Sequence, residues 1–364
     1  MSYEERPTMR ERLFLILFGT VCGSLLIGAT YLAFPQVFAR MSLSEGQKFE
    51  SIDDVRKAML KQAPTDRRAD GSVSLRAIVQ PNPSDLIIYE LRPSITERFE
   101  HAMVTTNSFG MRNPEVPLEK PDGTYRIAVL GDSYTFGWGV EQEQPFPRLL
   151  EKELNQSGAL EQRIEVLNFG VPGYATFQEV AAFQEKGSKF KPDMVVVYFI
   201  SNDFGLPFFI RDLAGDDPMK LVSAPEFHST KINPGEAEKE KKRQDLLQAL
   251  DANRALITLK RYCAEQKIKM LLVIHPDSAE AKTRARLWAT NKNAGKDRVK
   301  ILEIGDDYRA MVEAGVVPQE SLRVPRDHHP GWGAHKIIAA VLAKHLLPKI
   351  KRAHRDETLP EENS

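Results

Sequence analysis

Between Arg126 and Leu347 the chain alternates two kinds of apolar pattern. Continuous apolar runs at RIAVLG (126–131), IEVLNFG (164–170), MVVVYFI (194–200), IKMLLVIHP (268–276) and VKILEI (299–304) predict strands covered on both faces. Between them, segments with apolar positions three and four apart predict helices: 146–158, 177–190, 246–267, 278–289, 306–314 and 333–347. Strands alternating with helices predict an α/β chain, a doubly wound parallel sheet flanked by helices, flavodoxin-like with three layers. Ahead of this core, LIIYEL and HAMVTT with the turn NSFG predict a small β-like preamble over 81–125.

The N-terminal pattern is different in kind. Leu13 to Phe34 is uncharged throughout, and ~20 apolar residues suffice to cross a bilayer. Arg6, Arg10 and Arg12 precede it, which predicts a cytoplasmic leader over 1–12, a transmembrane anchor over 13–34 and an exported remainder, periplasmic or extracellular. A cleavable signal is the alternative, with VFA before Arg40 as its weak site, but the apolar run exceeds the usual signal core. Residues 35–80 read as a juxtamembrane linker with a short helix at 51–61, and Arg67 and Arg68 as a solvated loop or a contact with lipid headgroups. The polar stretch 351–364 reads as a disordered tail.

Composition narrows the function classes. The formal net charge of the 364 residues is +0, which gives no basic excess and hence no nucleic-acid partner. Two cysteines, Cys22 and Cys263, supply neither a disulfide framework nor a metal spacing and read as small buried hydrophobes.

In a doubly wound sheet, ligands sit beyond the carboxyl ends of the strands. That rule selects GDSYT after the first core strand, NFGVPGY after the second, ISNDF after the third, and RDHHPGWG before the last helix. Serine becomes a nucleophile when a base takes its proton, the base is commonly a histidine oriented by a carboxylate, and the developing oxyanion needs fixed donors. Ser133 is the candidate nucleophile, Asp327 and His329 the orienting acid and the base. The backbone N–H groups of Ser133 and Gly170 and the Asn202 amide are the candidate oxyanion donors.

GDSYTFG, NFGVPG, SND and DHHP, in that order over residues 126–350, resemble the four blocks of the SGNH hydrolases, the GDSL-type esterase superfamily, and YELRPSITERFEHAMVTTNSFGMRNPEV ahead of them resembles a preamble in membrane-anchored bacterial members. The resemblance implies the catalytic residues Ser133, Asp327 and His329, an oxyanion hole of Ser133, Gly170 and Asn202, and no metal or organic cofactor. It also implies an acyl-serine intermediate, with acetyl esters of an exported or cell-envelope glycan as substrate. A periplasmic polysaccharide O-acetyltransferase, a lysophospholipase or thioesterase, and a catalytically idle glycan-binding scaffold are the alternatives, with exopolysaccharide assembly proteins as candidate partners. Ile200 and Ala334 stand where the blocks often carry glycine.

Competing readings of single residues follow. His328 competes with His329, and the Asp-x-His spacing and Pro330 favour His329. His275 reads as a cleft residue or a structural histidine. Asp132 reads as the residue that holds the turn presenting Ser133. A metal reading of DHH lacks the Asp-x-Asp pair it needs, and Thr135 stands where a Gly-x-Ser-x-Gly elbow requires glycine. The insertion at 204–244, with Leu206, Phe208, Phe209 and Ile210, reads as core packing, an acyl pocket or a lid.

Overall fold

The computed structural model describes residues 67–204, 251–278 and 281–358. The expected anchor at 13–34, the helix at 51–61 and nearly all of the insertion lie outside the described residues.

The described chain opens with a short helix α1 (Leu75–Ile78) and two antiparallel pairs: β1 (Val79–Pro81) with β2 (Tyr89–Leu91), and β3 (Thr96–Phe99) with β4 (Ala102–Thr105). The core then runs β5 (Thr124–Gly131), α2 (Ser133–Phe136), α3 (Phe146–Gln156), β6 (Arg163–Gly170), α4 (Thr176–Glu185), β7 (Met194–Phe199) and a 3₁₀ turn Ser201–Phe204. It continues through α5 (Ala252–Glu265), β8 (Lys269–Ile274), α6 (Ala281–Asn293), β9 (Ile301–Glu303), α7 (Gly305–Glu313) and α8 (Trp332–Thr358).

The five core strands form one parallel sheet in the order β6-β5-β7-β8-β9, as the sequence predicts. All eight residues of β5 are buried, because helices cover both sheet faces. Ile127, Val129, Val196 and Tyr198 point to one face and pack with Ile337, Val341 and Leu342 of α8. Ala128, Leu130, Val195 and Val197 point to the other and pack with Val180 and Phe183 of α4 and Leu256 and Leu259 of α5. The chain leaves β5 toward β6 on one side and returns to β7 on the other. The carboxyl end of β5 is therefore the topological switch point, where the two flanking loops part and a crevice opens.

Three boundaries differ from expectation. The linker reading of 35–80 fails at its end: Val73, Leu75, Ile78 and Val79 are buried in one apolar cluster with Tyr89, Phe99, Phe136, Val171 and Tyr174. LRAIV carries enough apolar surface to join the preamble to the core, although the polar stretch before it reads as a spacer. Arg67 and Arg68 ion-pair with Glu97 and Glu100 at 2.9 and 3.0 Å, so they serve the β3–β4 hairpin. The polar stretch from 351 continues α8 as helix to Thr358, since Lys, Arg, Ala and Glu are good helix formers whatever their polarity. The helix expected over 177–190 ends at Glu185 and is followed by a 3₁₀ turn, Gly187–Phe190.

Candidate active site

Ser133 stands at the switch point because β5 must turn sharply into α2. A Cβ on Gly131 would lie 2.1 Å from Thr135 Oγ1, so only glycine lets the short helix fold back on the strand end. Asp132 caps that helix, its Oδ1 accepting from the Tyr134 N–H at 2.9 Å, which is the turn-holding role expected of it. Ser133 is the first helical residue, and among the described residues its N–H makes no backbone hydrogen bond, as the geometry of a first turn dictates.

His329 reaches Ser133 from the loop before α8. Its Nε2 lies 3.0 Å from Ser133 Oγ, and its Nδ1 lies 2.6 Å from Asp327 Oδ1. The loop is held by the Val324 N–H to the His329 carbonyl at 3.0 Å, and by the Asp327 N–H to the Val324 carbonyl at 3.0 Å. Asp327 Oδ1 also accepts from the His329 backbone N–H at 3.0 Å. Burial would raise the Asp327 carboxyl, but these bonds from His329 outweigh it and hold the group below the ordinary carboxylate range. Burial lowers the His329 imidazole despite the opposing pull of Asp327, so its free form predominates at neutral pH. A carboxylate-bound Nδ1–H leaves Nε2 as the acceptor facing the serine. The His329 ring is flanked by His328, whose side chain is 84% exposed. The two rings do not point to opposite sides of the loop; they stack, centroids 4.8 Å apart, and only His329 touches Ser133.

The oxyanion candidates separate. Asn202 lies on the 3₁₀ turn after β7, and one of its amide hydrogens goes to Asp132 Oδ2 at 3.2 Å. A primary amide has two N–H bonds, so a second remains to donate. Gly170 is a correction. Its N–H donates to Asn168 Oδ1 at 2.9 Å, within the buried end of β6, and is consumed there. Gly170 is needed for space: a Cβ would sit 2.2 Å from the Phe136 nitrogen. The free donor comes three residues later. Val171-Pro172-Gly173-Tyr174 closes a turn through the Tyr174 N–H to the Val171 carbonyl at 3.1 Å, and among the described residues the Gly173 N–H makes no backbone hydrogen bond. Gly173 has φ +79° and is partly exposed. Pro followed by Gly is the signature of a type II turn, a signal already present in NFGVPGY.

Other residues gain roles that periodicity did not reveal. Trp138 stacks on the His329 ring at 4.8 Å and 13°, and its Nε1 donates to Asp327 Oδ2 at 3.1 Å. Arg112, buried in the preamble, donates to the carbonyls of Phe136 at 3.3 Å and Val140 at 2.6 Å, and to that of Gly137. His275 is structural: its Nδ1 accepts from the Asp277 N–H at 3.1 Å, its ring edges against Tyr134 at 4.8 Å, and burial lowers it to about 4. His335, buried in α8, accepts from the Phe146 N–H at 3.2 Å and so caps α3, which Pro145 cannot. Cys263 is buried as expected.

Among the described residues, Asp327, His328 and His329 are grouped closely enough to hold a metal ion. Asp327 Oδ1 and both His329 nitrogens are already engaged with one another and with Ser133, so the geometry is that of a proton relay. A serine hydroxyl on an imidazole, the imidazole on a carboxylate, the serine's own first-turn N–H and the Asn202 amide on the neighbouring Asp132 can carry out acyl transfer. No helix among the described residues is long and apolar enough to cross a membrane.

Residues 129–314, just over half the chain, match the GDSL-like Lipase/Acylhydrolase family. No curated protein matches the chain. Among solved structures, the chain is similar to the lipase/acylhydrolase from Enterococcus faecalis at 17% identity, covering 62% of this chain and 96% of that one, with a TM-score of 0.38. It is similar to the family 3 carbohydrate esterase of Clostridium thermocellum at 15% identity, covering 63% and 98%, with a TM-score of 0.39. A two-domain esterase active on acetylated mannans, co-crystallized with mannopentaose, is similar at 17% identity over 66% of this chain and 52% of that one, with a TM-score of 0.38.

Proposed function

The chain belongs to the GDSL-like lipase/acylhydrolase family and is a carboxylic ester hydrolase; on that premise we propose that Ser133, His329 and Asp327 hydrolyse acetyl esters of an exported glycan through an acyl-serine. The observation that carries this reading is the unbroken chain from Ser133 Oγ to His329 Nε2 at 3.0 Å and from His329 Nδ1 to Asp327 Oδ1 at 2.6 Å.

Ser133 Oγ attacks the acyl carbonyl while His329 Nε2 takes its proton. The carbonyl oxygen becomes an oxyanion, bonded by the N–H groups of Ser133 and Gly173 and the remaining amide hydrogen of Asn202. The tetrahedral centre collapses, His329 gives the proton to the departing sugar oxygen, and acyl-Ser133 remains. Water then attacks the acyl group with His329 as base, releasing the acid and restoring Ser133. Asp327 holds the ring in its Nδ1–H tautomer and stabilises the imidazolium that forms in each half.

Beside the His329 loop lies a groove of about 220 Å³ lined by Gly139, Gln144, Glu320, Arg323 and Trp332. Trp332 is 42% exposed. An exposed indole with polar neighbours suits a sugar ring, which has an apolar face and hydroxyl edges, and this supports a glycan as the carrier of the ester. The anchor reading of 13–34 places the same chemistry outside the cytoplasmic membrane, which a periplasm-only reporter fused after residue 48 tests.

The test of the activity is acetate release by the full chain from acetylated xylan, acetylated peptidoglycan fragments and nitrophenyl acetate. Release from a glycan that vanishes in Ser133→Ala is expected. Release from nitrophenyl acetate alone overturns the glycan, and full activity in Ser133→Ala overturns the triad. Acetyl appearing on an added unacetylated glycan marks transfer to a sugar hydroxyl in place of water.

A further inference from the structure

The Asp327 carboxylate has two oxygens, and the family chemistry uses one. Oδ1 accepts from the His329 backbone N–H and from its ring Nδ1. Oδ2 accepts the Trp138 indole N–H at 3.1 Å. The same indole lies nearly parallel to the His329 ring, 13° between planes and 4.8 Å between centroids. One side chain thus fixes the acid through a hydrogen bond and the base through its face.

Trp138 is itself fixed from outside the hydrolase core. It stands between Gly137 at φ +88° and Gly139 at φ +72°. A Cβ on Gly137 would meet Pro145 Cγ at 2.5 Å, and one on Gly139 would meet Val324 Cγ1 at 2.8 Å. Both glycines are required on two counts, a left-handed backbone and the absence of room. The Arg112 fork holds the carbonyls on either side of the indole, and Phe99 of β3 packs edge-on against the ring at 4.6 Å and 81°. The preamble therefore reaches the catalytic loop through Phe99 and Arg112, and Trp138 is the last link.

We propose that Trp138 is a positioning residue of the triad: its N–H holds Asp327 Oδ2, its face holds the His329 ring, and Phe99 and Arg112 of the preamble hold Trp138. The inference rests on the acyl-transfer reading of Ser133. Losing the N–H leaves more negative charge on Asp327, which favours the imidazolium, so the His329 imidazole takes up its proton at a higher pH. The other titratable groups facing that ring are His328 on its own loop, Asp132 at the head of α2 and Tyr134 of α2, whose ring lies 5.6 Å away, and all three are unchanged in the test.

The experiment is ester hydrolysis by the full chain carrying Trp138→Phe, which keeps a ring and removes the N–H. Expected is a kcat lower by about 10-fold, the scale of one hydrogen bond to a charged group, with KM within about 2-fold. The acidic limb of kcat/KM moves to higher pH. In an Asp327→Ala background, scored by the rate of fluorophosphonate labelling, Trp138→Phe adds less than about a 2-fold loss, because the group it acts on is gone. Trp138→His, whose five-membered ring can place Nε2 where the indole holds Nε1, recovers part of the rate and serves if Trp138→Phe does not fold. Wild-type kcat with an unmoved acidic limb overturns the proposal, as does the same 10-fold loss in the Asp327→Ala background, or Trp138→His no better than Trp138→Phe. Ser133→Ala run in parallel separates the two claims. If it is inactive while Trp138→Phe is normal, only the positioning role falls; if it is active, the triad falls and the positioning role with it.

Discussion

Asp327 and Glu179 both bear a carboxyl group within electrostatic reach of the nucleophile's turn, and their surroundings drive them to opposite charge states. Asp327 is partly exposed and accepts from the His329 backbone, the His329 ring and Trp138. Glu179 of α4 is buried, and neither of its oxygens has a hydrogen-bond partner among the described residues. Burial, reinforced by the charge of Asp132, holds the Glu179 carboxyl well above its ordinary range. Asp203 is similar: burial and Glu179 raise it, and the Ile200 N–H at 2.8 Å opposes them only in part. Three donors favour the anion; burial with one donor or none favours the protonated acid. The charged group works in the reaction, while the two raised acids lie on α4 and on the turn that carries Asn202.

Substitutions separate the two regions. The largest effect is expected on the charged side: Asp327→Asn lowers kcat by about 10⁴-fold, the cost of a wrong histidine tautomer, with the melting temperature within a few degrees of wild type. Ester hydrolysis and a thermal melt read both. Asn202→Ala, at the boundary between the regions, costs about 10²–10³-fold in kcat, seen in the same assay; a wild-type rate removes Asn202 from the oxyanion site.

The pH dependence is the next effect in size. His329 must be free to accept the proton, and burial lowers it. The kcat/KM profile therefore rises through a midpoint below about 6.5, the ordinary imidazole value. A midpoint above that value contradicts the assigned environment of the ring.

Glu179→Gln is expected to give the smallest change in rate, within about 2-fold, and to act on stability instead. The wild-type carboxyl is raised on folding, so its contribution is fully present below the unfolded value and is lost as pH rises toward the folded value. Gln cannot ionise. The variant should melt with wild type near pH 5 and a few degrees higher near pH 9, by calorimetry across that range. A gain that grows toward acid pH reverses the assignment.

Much of this was legible in the sequence, for identifiable reasons. Continuous apolar runs place β5 through β9 because both faces of the sheet are covered, and the strand-end rule then collects Ser133, Asn202, Asp327 and His329 at one edge. The sequence does not separate Gly170 from Gly173, because one glycine ends β6 and another follows three residues later, and only the hydrogen bond to Asn168 shows that the Gly170 N–H is spent. The Pro172-Gly173 turn was the usable signal. Trp138 and Arg112 were illegible for a different reason. Their partners lie 189 residues away in the case of Asp327, and between the preamble and the loop after α2 in the case of Arg112. No local period encodes such contacts. Glu179 sits in a helix whose pattern reads as amphipathic, and nothing in that pattern announces a buried acid without a partner.

The central claim is that Ser133 carries the acyl group between donor and acceptor. Rapid quenching of the full chain during nitrophenyl acetate turnover, followed by peptide mass spectrometry, tests it most directly. The account predicts an acetyl group on Ser133 in the wild type, formed fast enough to lie on the reaction path and absent in Ser133→Ala. Turnover at the wild-type rate with Ser133 unmodified would contradict it.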